Sequence, residues 1–120
     1  MSTIAAISTP NAVGGIAVIR VSGPDALTVA ARVFTPANGK PVSGMAGYTC
    51  AYGTVRDQDG NPVDDVVLTV LRAPHSYTGE DTAELSCHGG LFLSRQVLRL
   101  CFAAGAEPAQ PGEFTKRAFL

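Results

Sequence analysis

The distribution of apolar residues along the 120-residue chain predicts five β-strands and two helices. Most apolar stretches have the length of a strand, whereas in two stretches apolar residues recur at helical spacing. In this order, neighbouring strands can pair antiparallel. We therefore expect an α+β fold, with a small, mostly antiparallel sheet and two helices. The predicted strands cover 4–7, 16–21, 48–55, 63–71 and 82–87, and the predicted helices cover about 24–35 and 91–104.

The alternation of side chains in the strand at 82–87 identifies Glu84 as a candidate binding residue. Ala83, Leu85 and Cys87 share an apolar face, and Glu84 lies on the opposite, polar face. A partly buried carboxylate is best satisfied by two parallel N–H groups, which an arginine provides, as does the 2-amino and N3–H edge of a pterin or guanine. A solvated strand position or a salt bridge to an arginine would also explain Glu84.

Arg20 is the second candidate binding residue, because it lies near the end of an apolar strand with few other polar side chains. Its guanidinium is predicted to leave the sheet at one rim, where it would bind a ligand carboxylate or stack on a flat ring. Two alternatives stay open. Arg20 could be an edge residue whose stem covers apolar surface, or it could pair directly with Glu84.

Two glycine pairs are candidates for a phosphate-binding turn. Gly14-Gly15 precedes a strand, which is the wrong context for such a turn. Gly89-Gly90 precedes a helix, so its N–H groups would either hold an anion or form a tight strand-to-helix turn. The GxxxxGK[ST] sequence of a nucleotide-hydrolysing P-loop does not occur in this chain.

The sequence predicts neither a catalytic residue nor a metal ligand. Cys87 and His88 are neighbours in or next to a strand, so their side chains point to opposite faces and the histidine is poorly placed to deprotonate the thiol. His75, His88 and the acidic pair Glu80-Asp81 lack the spacing of a known metal site. We expect Glu80-Asp81 to cap its own turn.

Composition and charge argue against several classes of protein, among them RNA-binding and membrane proteins. Nine Lys/Arg and ten Asp/Glu give a net charge of −1, whereas a protein that binds RNA by backbone electrostatics alone usually has a basic excess. Three cysteines without CxxC spacing favour free thiols in a reducing cytoplasm. Apolar runs of only strand length and an N-terminus without a basic region argue against a membrane span or a signal peptide. The tail at 111–120 predicts the start of a further element of a longer protein.

Four segments of the chain carry a family resemblance: 7–23, 76–81 (SYTGED), 84–90 (ELSCHGG) and 111–120 (PGEFTKRAFL). Each is ordinary alone, but together, in this order and spacing, they resemble the N-terminal domain of the bacterial tRNA-modification GTPases of the MnmE (TrmE) family. The resemblance covers essentially the whole chain. One departure is Ala12, where the family often has glycine.

The resemblance implies that 1–120 is a single N-terminal domain, similar in fold to the folate-binding domain of glycine-cleavage aminomethyltransferases. It implies that this domain binds a tetrahydrofolate derivative (5-formyl- or 5,10-methylene-tetrahydrofolate) and forms a homodimer. Arg20 and Glu84 correspond to folate-contacting positions. The helical domain and the GTPase domain, with its GTP, Mg and K, would lie outside this chain.

For the complete protein, the resemblance implies a joint activity with a flavoprotein, MnmG (GidA). Together they would add an aminomethyl or carboxymethylaminomethyl group to carbon 5 of the wobble uridine of tRNA, with folate supplying the one-carbon unit. The main alternative for this chain is a purely structural dimerisation module without folate binding. A self-sufficient folate-dependent enzyme would need a general acid or base, for which only Glu84 and His88 are available.

Overall fold

The computed structural model describes residues 1–9 and 15–119, and these contain seven strands and three α-helices. Every strand and helix predicted from the hydrophobic pattern is present, with ends that differ by at most two residues. The strands are β1 (Ile4–Ile7), β2 (Ala17–Ser22), β3 (Phe34–Pro36), β4 (Thr49–Arg56), β5 (Pro62–Leu71), β6 (Thr82–Cys87) and β7 (Glu107–Pro108). The helices are α1 (Ala26–Val33), α2 (Gly90–Ala103) and α3 (Glu113–Ala118), and a short 3-10 turn covers Val42–Gly44.

Part of the family resemblance lies outside the described residues. The loop at 10–14, which contains Ala12 and Gly14, lies outside the described residues. So does Leu120, the last residue of the tail motif.

The seven strands form one sheet in the order β3-β4-β5-β6-β2-β1-β7. All neighbouring strands pair antiparallel except β1 and β7, which pair parallel. The sheet is therefore mixed, and our expectation of a mostly antiparallel sheet is corrected. The reason is the helical crossover: α2 carries the chain back after β6, so β7 runs in the direction of β6, which is also the direction of β1.

Three of the elements were not predicted. β3 has three residues and β7 has two, and both contain proline, so neither leaves a hydrophobic alternation to recognise. α3 lies in the tail, where the sequence predicted only the start of some further element. Residues 1–9 and 15–119 therefore contain three α-helices and not the predicted two.

One face of the sheet packs against α1 and α2 and forms the core. The predicted alternation in β6 is confirmed, because Ala83, Leu85 and Cys87 are at most 1% exposed. The opposite face carries half-buried polar side chains, among them Arg20 and Glu84. Within the described residues, no helix combines the length and apolar character that a bilayer crossing requires.

Candidate functional site

Arg20 and Glu84 are direct neighbours across strands β2 and β6. The Nε–H of Arg20 donates a hydrogen bond to Oε2 of Glu84 at 2.8 Å. The two side chains are 23% and 24% exposed, so the ion pair is largely but not fully shielded from water. Of the alternatives left open by the sequence, direct pairing is the one present in the structure. Oε1 of Glu84 has no hydrogen-bond partner among the described residues and is available to a further donor.

The guanidinium of Arg20 also lies close to two aromatic rings. Its central carbon is 5.3 Å from the centroid of the Tyr77 ring and 5.4 Å from that of Phe114, within the range of cation–π attraction. Tyr77 belongs to the loop before β6, and Phe114 belongs to α3. A hydrogen bond of 3.1 Å between the hydroxyl groups of Tyr77 and Thr115 links that loop to the helix.

A pocket of about 510 Å³ opens beside the guanidinium of Arg20. One wall consists of the segment 6–8 and Arg20, and the other consists of Tyr77 and of residues 109–112, 114 and 115. This volume is typical of sites that bind small molecules. Glu84 does not line the pocket itself. It lies on the neighbouring strand β6, directly across from Arg20.

A buried ionic network lies next to this pocket. Arg117 is only 6% exposed, and its Nη1 donates to both carboxylate oxygens of Glu80, at 3.0 and 3.1 Å. Glu80 also accepts a hydrogen bond from the hydroxyl of Ser22, at 3.0 Å. The prediction that Glu80 caps its own turn is therefore wrong. Asp81 instead accepts a hydrogen bond from the backbone N–H of Ala73, at 2.9 Å.

The Gly89-Gly90 pair forms the predicted tight turn between β6 and α2, with Gly90 at φ 84°. The carboxylate of Asp64 accepts hydrogen bonds from the backbone N–H groups of His88 and Gly89, at 2.9 and 3.1 Å. An acidic side chain of the domain itself thus occupies the position that an anion would take. This turn belongs to the scaffold.

None of the three cysteines and two histidines lines the pocket beside Arg20. Burial raises the pKa of the Cys87 thiol to about 12, and burial likewise raises the pKa of the Cys101 thiol to about 12. Such thiols are almost entirely protonated at neutral pH and are poor nucleophiles. Across residues 1–9 and 15–119, no three His, Cys, Asp or Glu side chains cluster in a way that would hold a metal ion.

Sequence reasoning named Arg20 and Glu84 but missed the two aromatic residues next to Arg20. Tyr77 and Phe114 lie in two of the segments that carry the family resemblance, yet one is in a loop and the other in a six-residue helix. Neither position shows a periodicity that would mark it. The same holds for Arg117, whose burial results from contacts with residues far away in the chain.

Comparison with known proteins identifies the family of the chain. Residues 3–120 match the family model described as GTP-binding protein TrmE N-terminus. The tRNA modification GTPase MnmE of Parabacteroides distasonis is 50% identical over 121 aligned residues, which cover 100% of this chain and 26% of that protein. The proteins of the same name from Symbiobacterium thermophilum and Bacillus subtilis are 51% and 46% identical over 98% and 100% of this chain, in each case 26% of their own length.

The chain thus spans about a quarter of the length of these curated relatives. The family match covers nearly every residue, including the segments that hold Arg20, Tyr77, Glu84 and Phe114. By this match, and in agreement with the four sequence segments, the chain belongs to the TrmE N-terminal family.

Proposed function

We propose that this chain binds a reduced folate, such as 5-formyl- or 5,10-methylene-tetrahydrofolate, at the pocket beside Arg20. The observation that carries the proposal is the combination at one place of a guanidinium, a carboxylate and two aromatic rings beside a cavity of about 510 Å³. A reduced folate offers complementary groups: a flat ring with a donor edge at one end and carboxylates at the other. We also propose a likeness in fold to the folate-binding domain of glycine-cleavage aminomethyltransferases, which the family resemblance implies.

Each residue has a distinct role in this proposal. Glu84 accepts the paired N–H groups of the pterin edge, using Oε1 and the remaining lone pair of Oε2. Arg20 uses its Nη groups, which make no hydrogen bond within the described residues, to hold a ligand oxygen. Tyr77 and Phe114 provide flat apolar surface for a heterocycle. When bound, the folate supplies a one-carbon unit; the residues described above bind and orient it.

We further propose that the chain contributes to the activity named for its relatives, tRNA modification by a GTPase. The chain would act as the folate-binding part of a cytoplasmic protein whose other domains bind GTP with Mg and K. Together with tRNA and the flavoprotein MnmG (GidA), the whole protein would modify carbon 5 of the wobble uridine. The family membership supports this proposal.

We also propose that the chain forms a homodimer. Its support, besides the family, is a group of exposed apolar side chains near the turn between β6 and α2: Ile16, Leu91 and Phe92 are 55%, 43% and 75% exposed. The register of β2 and β6 brings Ile16 next to this turn. Sedimentation equilibrium at micromolar concentration should give twice the chain mass, and Phe92→Asp should shift it towards the monomer. A monomer in the wild type would contradict the proposal.

Isothermal titration calorimetry with 5-formyltetrahydrofolate tests the folate proposal. Glu84→Ala and Arg20→Ala should each weaken binding by about 1–3 kcal/mol, because each removes charge-assisted hydrogen bonds. Arg99→Ala is the matched control, since Arg99 is an exposed arginine on α2 and its loss should leave the affinity unchanged. No saturable binding by the wild type, or unchanged affinity in both site variants, would overturn the proposal.

One observation favours the alternative of a purely structural module. Arg20 and Glu84 already pair with each other, as an ion pair that only stabilises the sheet would do. Under this alternative, both variants lower the free energy of unfolding and the wild type binds no folate, whereas the dimer persists. Measuring stability, binding and mass on the same three proteins therefore separates the two functions.

A further inference from the structure

Among the described residues, Arg117 is the only charged residue that is buried. Its guanidinium makes five hydrogen bonds, and these reach three separate segments of the chain. It donates to the backbone carbonyl of Ser2 at 2.7 Å and to the Ser2 hydroxyl at 3.2 Å, to both oxygens of Glu80, and to Glu113 at 3.1 Å. Arg117 thereby ties the N-terminus, the loop before β6 and α3 together.

The network continues from Glu80 into the sheet. The Ser22 hydroxyl, at the end of β2, donates to Glu80 at 3.0 Å and lies 2.6 Å from the hydroxyl of Thr78. Ser22 is fully buried, and Thr78 is 7% exposed. No buried side-chain nitrogen or oxygen of the described residues lacks a partner. A buried polar network whose members are all satisfied holds its parts in one arrangement.

The segments that this network joins also carry the two rings around Arg20. Phe114 precedes Arg117 by three residues on α3, and Tyr77 precedes Glu80 by three residues in the loop. α3 has only six residues, which is too short for a helix to be stable without tertiary contacts. Its position over the pocket therefore depends on what anchors it, and the ion pair between Arg117 and Glu80 is the buried anchor.

We propose that Arg117 is a positioning residue that holds α3 against the loop before β6, so that Phe114 and Tyr77 lie against the guanidinium of Arg20 before any ligand arrives. Arg117 does not line the pocket and acts through the backbone segments that it joins. Such preorganisation strengthens binding, because the ligand does not have to order α3 itself. Only the effect on binding rests on the proposed folate function; the effect on the rings does not.

The test uses NMR and ligand binding on the same variants. The Nε–H of Arg20 lies beside both rings, so its ¹H–¹⁵N resonance reports whether they remain in place; Phe114→Ala provides the shift that results from losing one ring. Arg117→Met should move this resonance towards the Phe114→Ala value, while amide resonances of β4 and β5 stay unchanged. The affinity for 5-formyltetrahydrofolate should fall about tenfold. Arg99→Met, an exposed arginine replaced in the same way, should change neither quantity.

Arg117→Lys keeps the charge but replaces the planar fork of donors by one ammonium group, so it should give a shift and an affinity between those of the wild type and Arg117→Met. If Arg117→Met does not fold, Arg117→Lys decides the question. An Arg20 resonance that stays at its wild-type position in a folded Arg117 variant would overturn the inference, and so would wild-type affinity in that variant. If the wild type binds no folate, the proposed function fails, and the resonance alone still tests the role of Arg117.

Discussion

The ion pair between Arg20 and Glu84 yields the most quantitative prediction. The Nε–Oε2 distance is 2.8 Å, and about three quarters of each side chain is shielded from water. Hydrogen bonds to charged groups contribute about 1.5–3 kcal/mol when well shielded, whereas fully exposed ion pairs contribute about 0.2–1 kcal/mol. With a quarter of each side chain in solvent, we expect a coupling energy between these limits, about 1–2 kcal/mol.

A double-mutant cycle with Arg20→Met and Glu84→Gln measures this coupling energy. Arg20→Met should be the more destabilising single change, because it also removes attraction to two aromatic rings, at about 0.5–1 kcal/mol each. The double variant should then be less destabilised than the sum of the two single variants by about 1–2 kcal/mol.

Urea denaturation of the four proteins, followed by circular dichroism, gives the required free energies of unfolding. A control cycle that pairs Arg20→Met with Arg99→Met should be additive within about 0.5 kcal/mol, because Arg99 lies on α2, on the other side of the sheet. A coupling between Arg20 and Glu84 of less than about 0.3 kcal/mol would refute the reasoning. It would mean that the pair is not held together in solution.

Three further predictions concern reactivity, packing and pH. Burial raises the pKa of Cys87 and Cys101 to about 12, so at pH 8 only about one of these thiols in ten thousand is ionised. Both should therefore react with Ellman's reagent at least about 100-fold more slowly than the exposed Cys50. Equal rates in the folded protein would contradict this prediction. Gly53→Ala should destabilise the domain by about 2 kcal/mol or more in urea denaturation, because the added methyl group would clash with the backbone carbonyl oxygen of Thr35 in β3; an unchanged midpoint would refute it. A backbone N–H and the Arg117 guanidinium lower the pKa of Glu113 below its ordinary 4.5. The contribution of Glu113 to stability is therefore present above pH 4.5 and is lost as the pH falls through the lowered native pKa. The destabilisation by Glu113→Gln should shrink in acid, and a difference in unfolding free energy that stays constant with pH would contradict the prediction.

The hydrophobic pattern predicted the elements that build the core. β6 alternates apolar and polar residues, as a sheet with one face against helices requires, whereas β5 is largely apolar and only the burial of its side chains alternates. Glu84 could be assigned to the polar face for the same reason. The missed elements, β3, β7 and α3, contribute few residues to the core and have too few positions to show a period.

The residues of the candidate site also differ in how far the sequence alone could identify them. The sequence alone determined that Arg20 lies in a largely apolar strand and that Glu84 lies on the polar face of another, because periodicity is a local property of the chain. Only the tertiary structure decided that they are register partners 2.8 Å apart, since strand order and register depend on which segments pair. It also decided that Phe114 meets Arg20 and that Arg117 is buried with Glu80, because these contacts join segments 37 to 94 residues apart, and no local pattern encodes such distances.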